Sequence, residues 1–242
     1  MPEMNAKTHL EALRIHSSSS QKISRELLAG RPPFRVPHHQ GTVAAILGIP
    51  EQAGELSLAH GGILFLDELA EYRRDLLEGL REPLESGQVR VVRARAKAVW
   101  QAKSILLAAS NLCPCGWYGS QKKPCRCRLQ NILNYRRKLS GPILDRIDLH
   151  VNLFEAKREE EFFLSTKKGQ QISQAEKLYQ KVLAVKKFSK KRNLRLNILN
   201  NSDLPAKNLL EACSIEEEKL NFLLKSCKTQ TMSKRALIRS LR

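Results

Sequence analysis

Apolar positions along the first 29 residues fall at helical spacing. Leu10, Leu13, Ile23, Leu27 and Leu28 can share an inner face between residues 4 and 29, interrupted at Ser17-Ser18-Ser19-Ser20. Residues 30–50 are rich in Pro, Gly and His and predict a loop with one short helix at Val43–Leu47. Gly61-Gly62 then introduces Ile63-Leu64-Phe65-Leu66, a non-alternating run that predicts a strand buried on both faces of a parallel sheet. Leu76, Leu77, Leu80 and Leu84 set a helix over Tyr72–Glu85, stopped at Gly87. A second buried strand, Ile105–Ala109, ends at Ser110-Asn111, and a third is expected at Ile147–Val151. Strand, helix and strand in this order give an α/β fold with helices flanking a parallel sheet.

Between that helix and the second strand, Val91, Arg93, Arg95 and Lys97 alternate with Val92, Ala94 and Ala96. Residues 89–103 therefore predict a β-hairpin with five positive charges and no negative ones. Beyond residue 155 the chain becomes lysine-rich, with helical patches near 174–188, 203–211, 215–227 and 232–241. A boundary near 155 divides an α/β core, residues 1–155, from a helical region, residues 156–242.

Charge sharpens this picture. The 242 residues carry 42 Lys and Arg against 24 Asp and Glu, a net charge of +18. The surplus is shared: residues 1–155 hold 22 basic and 15 acidic side chains, residues 156–242 hold 20 and 9. Such a field favours polyanions, DNA or RNA foremost, although a lysine-rich surface alone would give the same sum. No window approaches the ~18 apolar residues of a membrane span, and the first residues carry no secretory pattern, so a cytoplasmic setting without membrane partners is expected.

Asp67 and Glu68 end a predicted buried strand, where α/β sheets present ligand-binding groups. An Asp there can hold Mg²⁺ through water, and the adjacent Glu can polarise a water attacking a γ-phosphate. A solvated acidic turn is the plain alternative. Asn111 closes the next strand, where its amide can orient that water or simply form a turn. Arg146, in Leu144-Asp145-Arg146-Ile147-Asp148, can reach a neighbouring subunit's phosphate or pair with Asp145 or Asp148.

Cys113, Cys115, Cys125 and Cys127 crowd four of the six cysteines into one Gly/Pro/Lys-rich loop. In a reducing compartment four thiolates suit tetrahedral Zn²⁺, with free thiols or a redox disulfide as alternatives. Lys122, Lys123, Arg126 and Arg128 favour thiolate formation. Cys213 and Cys227 read as ordinary buried thiols. His38 and His39 can contact nucleotide or a neighbour, or serve as packing and turn residues of a Pro-rich loop, whereas His60 and His150 flank strands and gain no ligand role. The run Lys186-Lys187…Lys190-Lys191-Arg192 can bind DNA but reads first as a solvated helix end.

Four stretches together resemble the magnesium-chelatase-like AAA+ ATPases and their ComM/YifB-type competence and recombination branch. They are Arg31-Pro32-Pro33-Phe34-Arg35-Val36-Pro37-His38-His39, Gly54 through Glu68, Cys113-Pro114-Cys115-Gly116, and Ser140 through His150. The resemblance implies an AAA+ P-loop-type sheet with a C-terminal helical lid. It implies that Asp67 and Glu68 are the Walker B pair and Asn111 is sensor 1. Arg146 is then a trans-acting arginine finger, and Ser233-Lys234-Arg235-Ala236 is similar to sensor 2 with Arg235 as its cation and Arg239 as the fallback. It further implies ATP and Mg²⁺ as cofactors and a hexameric ring. Its hairpin, through Arg90, Arg93, Arg95 and Lys97, would touch DNA phosphates during branch migration.

One element departs from the pattern. No Gly-x-x-x-x-Gly-Lys-Ser/Thr string occurs in the 242 residues. The first residues resemble the family segment beyond the P-loop helix, so the expectation is a sheet lacking its first strand and phosphate loop. The chain alone should then bind ATP poorly, and its partner is expected to be a homo-oligomeric ring or a complementing P-loop-bearing chain, with a fragment, a split-gene product and a degenerate homologue all consistent with the sequence. A non-catalytic DNA-binding or ring-interaction module, and a metal-chelatase motor subunit, are the competing expectations.

Overall fold

The computed structural model describes residues 1–19, 22–93, 96–153, 168–195 and 198, together with 216, 218, 219, 221, 222 and 225. The chain divides into two compact units, Met1–Ile147 with Val151–Glu155, and Asp148–His150 with Ala156–Arg242.

The first unit starts with helix α1, Ala6–Ser18, whose N-cap Asn5 accepts the Thr8 N–H at 2.9 Å. Helix α2, Arg25–Leu28, is capped in the same way by Ser24, while α1 runs on through Ser17 and Ser18, further into the serine run than expected, and ends at Ser19. Strand β1, Phe34–Arg35, lies in the Pro-rich stretch predicted as loop. Helix α3, Val43–Leu47, forms as predicted under a Thr42 cap and leads into a small ladder of β2, Gly48–Ile49, and β3, Gln52–Ala53. Helix α4, Glu55–Leu58, precedes β4, Ile63–Leu66. Gly62 is required between them, because a Cβ there would collide with the Pro33 carbonyl that accepts the Ile63 N–H.

The predicted helix over Tyr72–Glu85 is split. A 3₁₀ turn, Leu69–Glu71, is followed by α5, Arg74–Gly79, and α6, Arg81–Ser86, meeting at Leu80. Pro83 lacks the N–H that would bond the Gly79 carbonyl, which breaks the ladder at that point. Gly87, at φ 68°, turns the chain into the hairpin of β5, Gln88–Arg93, and β6, Ala96–Gln101. Strand β7, Ile105–Ala108, then helices α7, Leu129–Arg137, and α8, Gly141–Leu144, complete the unit.

The α/β expectation holds: β1, β4 and β7 form a parallel sheet in the order β1-β4-β7. Leu64 and Leu66, with Leu106 and Ala108 beside them, face a core of Ile46, Leu56, Leu76, Leu77, Leu80 and Ile143. The opposite face corrects the expectation of burial on both sides. Phe34, Ile105 and Leu107 are 59%, 57% and 51% exposed, and Phe34 stacks on Phe65 with ring centroids 6.5 Å apart. Among the described residues, Ile46 of α3, Leu56 of α4 and Leu76 and Leu77 of α5 share the core cluster of Leu64 and Leu66. The strand expected at Ile147–Val151 is also absent, and Leu149 is 83% exposed.

In the second unit, helix α9, Lys168–Arg195, contains the predicted 174–188 patch. The patches 203–211 and 232–241 lie outside the described residues, as does most of 215–227. Among the described residues no helix is long and apolar enough to cross a membrane.

Candidate functional site

The register Leu66↔Ala108 sets the carboxyl ends of β4 and β7 side by side. Asp67 and Glu68 leave one strand, and Ala109 to Asn111 leave the other. The Leu69 N–H donates to the Ala109 carbonyl at 2.8 Å, tying the two ends together. Glu68 sits in the left-handed region at φ 52°, ψ 46°, the one non-glycine residue with positive φ among the described residues. Its N–H donates to Asp67 Oδ1 at 2.9 Å, which stabilises a turn that costs about 1 kcal/mol for an L-residue. The turn leaves both carboxylates in solvent, and their oxygens are the donor type a hard cation such as Mg²⁺ requires.

Residues from other segments surround this turn. His39 Nδ1 is 3.1 Å from Glu68 Oε2. The His39 ring lies 4.3 Å from that of His38 and meets Tyr72 edge-on at 6.4 Å. The Tyr72 hydroxyl donates to the Pro37 carbonyl at 2.8 Å. Desolvation, reinforced by the Asp67 charge, pushes Tyr72 up to about 12, so it remains a donor. On the far side Tyr135 of α7 is raised first by desolvation and then by Glu71, with Ser110 and Glu68 also close enough to act on it. Lys138 Nζ lies 3.5 Å from Glu71. The only advance signal for this shell was the His38-His39 pair.

Arg146 is held rather than projected. Its Nε donates to the Arg81 carbonyl at 2.9 Å, Nη1 to the Pro142 carbonyl at 2.6 Å, and Nη2 to Glu85 Oε2 at 2.7 Å. The side chain is 11% exposed. Its carboxylate partner is Glu85, not the Asp145 or Asp148 weighed from the sequence.

The hairpin's charges divide between its faces. Arg93 pairs with Ala96 and Val92 with Lys97, so only residues 94 and 95 connect the strands. Arg90 and Lys97 therefore share the solvent face with Val92 and Val99. Arg93 falls on the face of Val89 and Trp100, exposed at the tip. This corrects the alternation that put Arg93 and Lys97 together. The inner face anchors the hairpin, with Trp100 Nε1 donating to the Ile49 carbonyl at 3.0 Å. Arg95 and Arg235 lie outside the described residues.

The four loop cysteines converge. Cys113, Cys115, Cys125 and Cys127 carry free thiols whose sulfurs all lie within 4.8 Å of one another, so the cluster can bind a metal. The Trp117 N–H, followed by that of Arg126, holds the Cys115 thiol down to about 6 against the opposing effect of desolvation. Elsewhere, a cavity of about 470 Å³ is lined by Phe34, Arg35, Pro37, His38, Ile46 and Glu55. Its cation is already committed, because Arg35 grips Glu55 through two bonds of 2.6 and 2.7 Å.

Comparison with known proteins adds relationships to this geometry. The family profile described as magnesium chelatase, subunit ChlI, matches residues 1–161. The competence protein ComM of Haemophilus influenzae is 36% identical in an alignment covering all of this chain and 46% of ComM. The uncharacterised protein YifB of Escherichia coli is 42% identical over 156 residues, covering 63% of this chain and 30% of YifB. The probable DNA helicase MCM9 of Arabidopsis thaliana is 29% identical over 109 residues, covering 45% of this chain and 15% of MCM9. The chain thus spans about a third to a half of the length of the bacterial relatives it matches.

Proposed function

We propose, from the premise that the chain belongs to the magnesium chelatase subunit ChlI family, that it supplies the hydrolytic half of an AAA+ ATPase site in a ring that works on DNA. The observation that carries this reading is the placement of Asp67, Glu68 and Asn111 at the carboxyl ends of two adjacent parallel strands. Asp67 holds Mg²⁺ through water, Glu68 polarises the attacking water, and Asn111 orients it. Arg146 serves the neighbouring subunit's nucleotide once it leaves Glu85, and Arg235 serves as the lid's cation. The four-thiol loop carries a structural Zn²⁺.

The nucleotide cradle comes from polypeptide other than these 242 residues, which contain no phosphate-loop string. The exposed sheet face of Phe34, Ile105 and Leu107 gives such polypeptide an apolar surface to cover. Relatives named as a competence protein and a probable DNA helicase support DNA as the polyanion, and the hairpin offers Arg90, Arg93, Arg95 and Lys97 to its phosphates. Hexameric assembly is part of the same reading.

ATP hydrolysis by the assembly purified around this chain tests it. Glu68→Gln should lower Mg²⁺-dependent turnover by about 10²-fold or more while ATP binding persists. Turnover unchanged by that substitution would remove Glu68 from the reaction.

A further inference from the structure

The thiol cluster has the shape of a coordination site. Cys113 and Cys115 sulfurs are 3.4 Å apart, Cys113 and Cys125 3.7 Å, and Cys115 and Cys125 3.6 Å. Tetrahedral Zn²⁺ with Zn–S bonds near 2.3 Å needs sulfurs about 3.8 Å apart. Three thiols therefore outline one near-equilateral face of that tetrahedron, and Cys127 lies within reach as the fourth ligand. Lys122, Lys123, Arg126 and Arg128 stand in or beside the loop in sequence and offset the charge that four thiolates bring to one dication.

The loop is also joined to the strand end that carries Asn111. Cys113 is buried and lies two residues beyond it. Gly116, at φ 77°, donates its N–H to the Cys113 carbonyl at 3.1 Å, and a Cβ there would sit 4.0 Å from the Asn111 amide. From α7, Arg136 donates to the Leu112 carbonyl at 3.2 Å and places its guanidinium 4.8 Å from the centre of the Tyr118 ring. One side chain thus fastens both the residue after Asn111 and the tip of the cysteine loop.

We infer that Cys113, Cys115, Cys125 and Cys127 form a zinc–thiolate knuckle whose task is to hold Asn111 in place beside Asp67 and Glu68. The metal closes the loop between its two Cys-x-Cys arms, and Arg136 seats the closed loop on α7. The ion is structural: four protein ligands leave no open position for water. Its role toward Asn111 rests on the proposed hydrolytic site; the metal site itself does not.

The test uses the full chain purified with reductant under anaerobic conditions. Elemental analysis should find one zinc per chain, and Co²⁺ exchanged into the site should give the visible bands of tetrahedral thiolate coordination. Cys115→Ser with Cys127→Ser should lose the metal, whereas Cys127→His, which keeps four ligands, should retain it. Hydrogen exchange over residues 110–120 should speed up at least tenfold when a chelator strips the metal, with β4 and β5 unchanged. Folded, reduced chain that holds less than about a tenth of an equivalent of zinc, and takes up none when it is added, would overturn the metal site. Zinc present with unchanged exchange over 110–120 would overturn the positioning role. Both readouts are independent of ATP turnover, so either failure is distinguishable from a failure of the hydrolytic reading.

Discussion

His39 Nδ1 lies 3.1 Å from Glu68 Oε2, a pairing between the loop after β1 and the turn after β4. At that distance the imidazole occupies space beside the carboxylate that a polarised water would need. Both side chains are partly exposed, so the contact is worth about 1 kcal/mol, roughly fivefold in a rate. His39→Ala should therefore raise basal ATP hydrolysis by the assembly about fivefold, and His39→Gln, which keeps a polar side chain of similar reach, should leave it near the wild-type rate. Equal rates for all three would separate His39 from the control of Glu68.

The three bonds from Arg146 make a different prediction. A guanidinium at 11% exposure, bound to Glu85 and two carbonyls, braces α6 against α8. Arg146→Ala should lower the stability of the isolated chain by about 2 kcal/mol, seen as a lower urea midpoint. A finger kept free for a neighbour would leave the midpoint unchanged when removed.

Contact between the hairpin and DNA should show in the salt dependence of binding. Arg90 and Lys97 share one exposed face of the hairpin. If each neutralises one phosphate, Arg90→Ala with Lys97→Ala should make the slope of log K against log salt shallower by about 2. Fluorescence anisotropy of labelled DNA at several salt concentrations measures that slope. An unchanged slope would place the DNA elsewhere.

Two buried histidines set an acid limit on stability. His16 donates from Nε2 to the Leu58 carbonyl at 2.9 Å. His60 accepts the Lys103 N–H at Nδ1, so its Nε2 carries the proton directed at Glu11. Desolvation lowers both below the usual 6.5, more strongly than the Leu58 carbonyl and Glu11 raise them. Just below 6.5 the unfolded chain therefore binds more protons than the folded one, and stability falls as pH falls. It is fully present above 6.5. The melting temperature should drop between pH 7 and 5.5, and His16→Gln with His60→Gln should flatten that drop. A wild-type melting temperature that is constant across the window would contradict this.

What the sequence disclosed depended on how local each signal was. Ile63–Leu66 and Ile105–Ala108 were legible because each is an unbroken apolar run ending at a polar turn, which also located Asp67, Glu68 and Asn111. Strand β1 was hidden because its two residues sit between Pro33 and Pro37, and only pairing with β4 makes them a strand. The hairpin itself was visible, but its faces depended on the two-residue connection that pairs Arg93 with Ala96. The open sheet face was not legible, since an apolar run does not disclose how many sides are covered. The contacts of His39 with Glu68 and of Arg146 with Glu85 join distant segments, and no local pattern encodes them.

Asp67, Glu68 and Asn111 are proposed as half of an ATPase site whose nucleotide cradle lies in other polypeptide. ATP turnover by the purified 242-residue chain, compared with its Glu68→Gln variant under the same Mg²⁺ concentration, tests this assignment most directly. No difference between them is expected, both remaining at background. Sustained turnover by the chain alone, abolished by Glu68→Gln, would contradict it.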